Sequence, residues 1–209
     1  MQLAIFGATG RIGRPLVQQA LDAGHEVVAL VRDPAKVAMQ NEHLTLVQGD
    51  AMQLPDVERT VQGADAVICV LGHRKDSPKD MQTIAARNIV QAMCAQHIQR
   101  LVSLTGAGVE APQDRPKLSN HLIKFALLAL SGDVYRDGAA HARVIQESPL
   151  DWVIARGPRL TEGPHTGTYR VGWVGVNTGM TISRADVADF LLKQTTDTRH
   201  LRQMPMISD

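Results

Sequence analysis

The chain has 209 residues, 44% of them apolar and 21% charged, with a formal net charge of +1. Such a length buries a sizeable core in one domain spanning 1–209, and the near-neutral charge speaks against a nucleic-acid surface or a basic membrane patch. The two cysteines, Cys69 and Cys94, lie in apolar segments and read as buried thiols of a reducing compartment, not as a disulfide framework or a metal site.

In chain order, strand and helix patterns alternate. Leu3–Phe6 reads as a strand, and the chain enters it directly, leaving no room for a signal peptide. Gly7-Ala8-Thr9-Gly10-Arg11-Ile12-Gly13 follows, and Pro15–Ala23 reads as a helix stopped by Gly24. This G-x-x-G-x-x-G spacing between strand and helix is the context of a dinucleotide-binding turn. Gly7 and Gly10 allow a tight turn close to a pyrophosphate, Gly13 allows close helix packing, and the helix N-terminus offers N–H groups to the phosphates. Glu26–Val31 is the second strand, with a short helix started by Asp33-Pro34, and Leu44–Val47 is the third. Asp56–Gln62 reads as helix and Ala66–Leu71 as the fourth strand. Asp80–Gln96 is a long helix with Met81, Ile84, Ala85, Ile89, Ala92 and Met93 on one face. Leu101–Thr105 is the fifth strand, then His121–Leu130 and Gly138–Glu147 read as helices. The apolar run Leu122–Leu130, broken by Lys124, is too short to span a bilayer. Trp152–Ala155 is the sixth strand, Tyr169–Val176 reads as extended and Arg184–Lys193 as helical. Continuous apolar strands between amphipathic helices predict an α/β fold: a Rossmann-type, doubly wound parallel sheet with helices on both faces.

Such a sheet binds ligands beyond the C-terminal ends of its strands. After the second strand stands Arg32, where an NAD-selective protein would usually carry an acid for the ribose 2′-hydroxyl. A guanidinium suits a 2′-phosphate, so the expected cofactor is NADP(H), with Arg11 within reach of the same phosphate. Asp33 competes as a ribose ligand but reads better as a helix cap ahead of Pro34, and Arg14, further along its helix, as a surface residue. After the third strand, Asp50-Ala51 offers either an acceptor for the adenine amino group or a turn that bonds its own backbone. After the fourth come Leu71-Gly72-His73-Arg74, with His73 and Arg74 expected near the site mouth. Thr105 closes the fifth strand and Gly157-Pro158-Arg159 follows the sixth. Arg159 or Arg156 offers a positive charge to an acceptor, or forms a structural salt bridge.

Gly7-Ala8-Thr9-Gly10, Arg32-Asp33-Pro34, Gly49-Asp50 and Ala86-Arg87-Asn88-Ile89-Val90 resemble the atypical short-chain dehydrogenase/reductases of the NAD(P)H-binding, NmrA-like group. Within it the likeness is to the biliverdin-IXβ reductase/flavin reductase branch. Leu71-Gly72 with Arg74, Thr166-Gly167 with Tyr169, and Ile182-Ser183 add to it. The resemblance implies NADPH-dependent reduction of flavins such as FMN, tetrapyrroles or quinone-like acceptors, in the cytoplasm, by a monomer or small homo-oligomer. By position it implies cofactor contacts from Gly7, Thr9, Gly10, Arg32, Asp50, Leu71, Gly72, Arg74 and Thr105; Arg11, Ile12 and Ala51 border the same path.

The departures lie nearest the acceptor. Longer short-chain dehydrogenases use a Tyr-x-x-x-Lys pair, whereas Tyr135 is followed by Ala139 and Tyr169 by Trp173. That branch places a serine after the threonine of the fifth strand and a histidine after the sixth; here stand Gly106 and Gly157-Pro158-Arg159. A flavin or quinone is its own electron sink, so orientation and electrostatics suffice, with Thr105 and Arg159 in positioning roles. The expected acceptor site is bordered by His73, Gly106, Pro158 and Arg159, with a rim from Gln113–Ser131 and His165–Tyr169. The longer segment Gln113–Asp133 is read as a lid. Ser103 reads as packed and hydrogen-bonded and His141 as a core or surface residue. Ser183 with Asp186 reads as a helix cap. The alternative function is a non-catalytic NAD(P) sensor that regulates a partner.

Overall fold

The computed structural model describes residues 1–74, 76–116 and 118–209, with backbone alone for 118–130. The strands at 2–6, 26–31 and 66–69 are short, largely apolar and largely buried between helices on both faces, whereas the edge strand at 44–48 is partly exposed. The elements are β1 (Gln2–Phe6), α1 (Gly13–Asp22), β2 (Glu26–Val31), β3 (Leu44–Gln48), α2 (Leu54–Val61), β4 (Ala66–Cys69), α3 (Met81–Ala95) and β5 (Arg100–Gly106), then α4 (Leu118–Gln146), β6 (Asp151–Gly157), β7 (Arg159–Thr161), β8 (Arg170–Gly172), β9 (Thr181–Ser183), α5 (Arg184–Lys193) and β10 (Met206–Ser208).

The main sheet has the order β3-β2-β1-β4-β5-β6-β10-β8. All pairings are parallel except β10 with β8, where Ile207 faces Val171 in antiparallel register. The doubly wound sheet expected from the sequence is therefore present, closed by one antiparallel edge strand. Strand order reverses between β1 and β4, the position at which such sheets hold ligands. One apolar layer joins α2, α3 and α4 to the sheet through Val57, Ile89, Met93 and Ile145 against Phe6, Val67 and Leu101. The other joins α1 and α5 through Leu16, Val17, Val187 and Leu191 against Leu3, Ile5 and Ile68.

Several expectations are corrected. The fourth strand ends at Cys69, since Leu71 and Gly72 have left the ladder, and only Arg170–Gly172 of the extended 169–176 segment is strand. The two helices read at His121–Leu130 and Gly138–Glu147 are one helical stretch broken at Ser131 (φ −145°, ψ 40°), and Gly138 lies inside it, not at its start. On α3, Thr83 and Ala86 are buried and Met81 and Ile84 are not, which rotates the expected apolar face. Cys69 is buried as expected but Cys94 is exposed. The short strands β7, β9 and β10 carry too few residues to show a period. Among the described residues no helix is long and apolar enough to cross a membrane.

Candidate active site

The β1–α1 turn is shaped by close approach. Gly7 has φ +93°, and a Cβ there would lie 2.8 Å from the Val70 carbonyl; a Cβ on Gly13 would lie 2.1 Å from the Gly7 oxygen. No side chain fits either place. The turn is thereby pressed onto the end of β4 at the reversal of strand order, and α1 onto the turn. The turn closes through Gly10 N–H to the Gly7 oxygen (2.9 Å), while the N–H groups of Arg11 and Ile12 find no acceptor among the described residues. Donors left open at a helix N-terminus beside a backbone that excludes side chains form a cradle for phosphate. These residues fit a dinucleotide.

Around this cradle the residues diverge. Arg32 is exposed and makes no ion pair among the described residues. Its neighbour Asp33 is fixed: Oδ1 accepts from Ala35 N–H (3.1 Å), and Oδ2 lies 3.0 Å from Lys36 Nζ. The capping reading of Asp33 therefore holds. Arg11 turns to Glu162, which also accepts from Arg184 at 2.8 Å. Asp50 Oδ1 accepts from Met52 N–H at 2.9 Å, the turn reading, and its other carboxylate oxygen makes no bond among the described residues. Asn88 donates to the Ala51 carbonyl (2.9 Å), tying that turn to α3. A small cleft of about 220 Å³ lies beside the turn, lined by Thr9, Arg14, Lys36 and apolar residues of β2 and β3. No local pattern puts Lys36 at this cleft, because its position depends on the path of the loop after Pro34.

A larger cleft of about 760 Å³ opens along the C-terminal ends of β4, β5 and β6. Ile12, Leu71, Gly72, Thr105, Gly106, Pro158 and Arg159 line it, as does the α4 wall of Val134, Tyr135 and Gly138. Met180 (60% exposed) and Val134 (45% exposed) are apolar groups at its edge. Arg159 is exposed and makes no ion pair among the described residues. Of the expected rim, Asp114, Pro116 and Ser131 reach the cleft, and the side chains of 117–130 lie outside the described residues.

Some expected site residues are elsewhere. His73 does not line the cleft: its ring, 10% exposed, holds Asp137 at 2.7 Å. Asp137 also accepts from Gln82 N–H (2.8 Å), Thr83 N–H (3.0 Å) and the Thr83 hydroxyl (2.5 Å), so a buried carboxylate from α4 caps α3. Arg74 is exposed beside a turn closed by Ser77. His165 lies 3.2 Å from Asp189 on α5, which also accepts from the Tyr169 hydroxyl at 2.6 Å. Neither His165 nor Tyr169 lines the cleft; the edge expected of them is supplied by Val174 and Met180. Burial and the Asp189 bond push the Tyr169 phenol well above its usual range.

Arg156 takes the structural reading. It is fully buried and donates to both Asp114 oxygens (2.7 Å each), to Met204 O (2.7 Å) and to Val109 O (2.8 Å). Burial acts to raise the Asp114 carboxyl, but Arg156 and the Ala111 and Val174 amides outweigh it and hold it below the usual carboxylate range. This pair fastens the 107–116 loop, one wall of the cleft, to β6. His141 is a satisfied core residue: Nε2 meets the Ser103 hydroxyl (2.8 Å) and Nδ1 the Gln82 carbonyl (3.2 Å). Ser183 caps α5 by accepting from Asp186 N–H at 2.9 Å. Among the described residues no cluster fit to hold a metal is present.

With this geometry in view, residues 7–198 match the NAD(P)H-binding family. The chain belongs to that family. The match agrees with the NAD(P)H-binding part of the resemblance that the sequence motifs carry. Among curated relatives, the 3-diazoavenalumate denitrifying reductase of Streptomyces sp is 30% identical over 186 residues, 82% of this chain and 60% of the relative. The first curated relatives it matches are longer proteins, of which it spans 21% to 60%. Among solved structures, a short-chain dehydrogenase/reductase from Veillonella parvula DSM 2008, in complex with NADP, has a TM-score of 0.78 and 20% identity, covering 100% of this chain and 94% of that one. ChuY, an anaerobillin reductase from Escherichia coli O157:H7, has a TM-score of 0.77 and 21% identity, covering 100% and 97%. At these identities the two structures speak for the fold of this NAD(P)H-binding chain.

Proposed function

We propose that the chain is an NADPH-dependent reductase that delivers a hydride to a flat conjugated acceptor: a flavin such as FMN, a tetrapyrrole or a quinone. One observation carries this reading. The glycine turn and the large cleft are continuous through Ile12, Leu71 and Gly72, and the cleft wall facing them is largely apolar. A volume of about 760 Å³ lies within the range of ligand pockets, about 300–1,000 Å³, and leaves space for an acceptor next to a nicotinamide.

The roles follow from placement. Gly7, Thr9, Gly10 and the N–H groups of Arg11 and Ile12 would hold the pyrophosphate, and Arg32 the 2′-phosphate, with Arg14 and Lys36 close by. Asp50 and Ala51 would border the adenine; Leu71, Gly72 and Thr105 the nicotinamide. When bound, the cofactor supplies the hydride. The protein aligns the acceptor against the apolar wall, keeps water from it, and offers the Arg159 guanidinium to an anionic group. The reductase named in the Streptomyces relative and the NADP complex of the Veillonella protein support the reading. The test is steady-state oxidation of NADPH with FMN, biliverdin and a simple quinone in turn. Turnover with at least one is expected. Binding of NADPH without turnover of any would replace the reductase by an NAD(P) sensor.

A further inference from the structure

Gln82 stands in the first turn of α3 and faces the large cleft. Its Nε2 donates to the Leu71 carbonyl at 2.7 Å. A carbonyl only accepts, so the amide has one workable orientation: the NH₂ toward Leu71 and Oε1 turned away. Oε1 is then a fixed acceptor that makes no hydrogen bond among the described residues. The opposite wall is α4, where Gly138 occupies a helix interior at a cost of about 1 kcal/mol relative to alanine. A Cβ on Gly138 would lie 3.2 Å from the Thr105 hydroxyl and 3.7 Å from Gln82 Oε1. The missing side chain thus leaves open the point on which these two polar atoms converge. The hydroxyl can donate and the amide oxygen can only accept, so side by side they match a group with C=O next to N–H. In a cleft whose walls are largely apolar, such a couple orients a ring.

We propose that Gln82 is a specificity-determining residue: with Thr105 it reads an amide edge on the ring bound in the cleft, Oε1 accepting the N–H and the hydroxyl donating to the C=O. The inference rests on the reductase reading above. Two ligands offer that edge there, the carboxamide of the nicotinamide and the imide of a flavin-like acceptor. Leu71 carries both the Gln82 anchor and the expected nicotinamide contact, which favours the carboxamide.

The experiment is calorimetric binding of NADP+ and of its 3-acetylpyridine analogue, in which a methyl replaces the amino group. The proteins are wild type, Gln82→Met and Thr105→Val, each checked by its melting curve. The wild type is expected to bind NADP+ about fivefold or more tighter than the analogue, the range of one hydrogen bond. Gln82→Met should weaken NADP+ to the level of the analogue and leave the analogue within about twofold. Thr105→Val should weaken both equally, because both keep the C=O. A second arm compares KM for FMN, which carries an imide, with KM for a simple quinone, which has none. Unchanged cofactor discrimination in Gln82→Met with a rise in the FMN-to-quinone KM ratio assigns the edge to the acceptor. If neither ratio moves in Gln82→Met, or if Thr105→Val alters neither cofactor affinity nor the KM for FMN, the inference is overturned. Failure of the wild type to bind NADP+ would instead remove the reductase reading itself.

Discussion

Arg32 and Asp33 are adjacent and have opposite surroundings. Asp33 spends its carboxylate on the Ala35 amide and Lys36, while Arg32 is exposed without an ion-pair partner among the described residues. Only the arginine is available to a cofactor. NADPH is therefore expected to bind about tenfold tighter than NADH, and Arg32→Ala to bring the two within about threefold by calorimetry. The tyrosines differ in a similar way. The Tyr169 hydroxyl is committed to Asp189, remote from the cleft, so Tyr169→Phe should leave the reductase rate intact while costing about 1 kcal/mol of stability. Tyr135 does line the cleft, but Ala139 stands where the pair of the longer dehydrogenases has lysine. Tyr135→Phe should lower kcat by less than about tenfold; a thousandfold loss in a folded variant would reveal a proton donor. Arg159→Ala should act mainly on the acceptor KM, as loss of uniform binding does.

At the scale of elements, the strand–turn–helix start of the chain was legible because glycine spacing is a backbone requirement: no side chain fits at Gly7 or Gly13. The strand ends were legible because a parallel sheet puts them on one edge. The cleft wall was not. Gly138 reads as a helix boundary in sequence, whereas it lies inside α4 facing Thr105. His73 follows a cofactor strand, yet its ring is drawn to Asp137 by a contact 64 residues away that no local pattern encodes. Arg156 and Arg159 could not be told apart until β6 showed which of them is buried. Because loss of the Arg156 guanidinium would strand the largely buried Asp114 carboxylate, Arg156→Met should cost about 3–5 kcal/mol by urea unfolding and loosen the 107–116 wall. The α3–α4–β5 junction is sensitive to pH through His141. Burial lowers its pKa below the ordinary 6.5, against the Gln82 carbonyl and the Asp137 charge. The unfolded chain then binds a proton that the folded chain refuses, so this contribution is complete above pH about 6.5 and falls away as the pH drops through the lowered folded value. The wild type should lose stability between pH 7.5 and 5.5 in urea titrations, and His141→Gln should remove that part of the slope.

On the scale of the whole molecule, two apolar layers hold the eight-stranded main sheet, and its C-terminal edge carries both the dinucleotide cradle and the large cleft. The continuity of cradle and cleft is what the proposed reductase activity requires beyond the holding of NADPH. The most direct measurement is a rapid-mixing single turnover: protein loaded with NADPH against excess FMN or quinone, followed by the nicotinamide absorbance. The expected decay has a rate that saturates with acceptor and slows at least about twofold with NADPH deuterated at the transferred position. Decay no faster than in a protein-free mixture, for every flavin, tetrapyrrole and quinone tried, would contradict the proposed reductase activity.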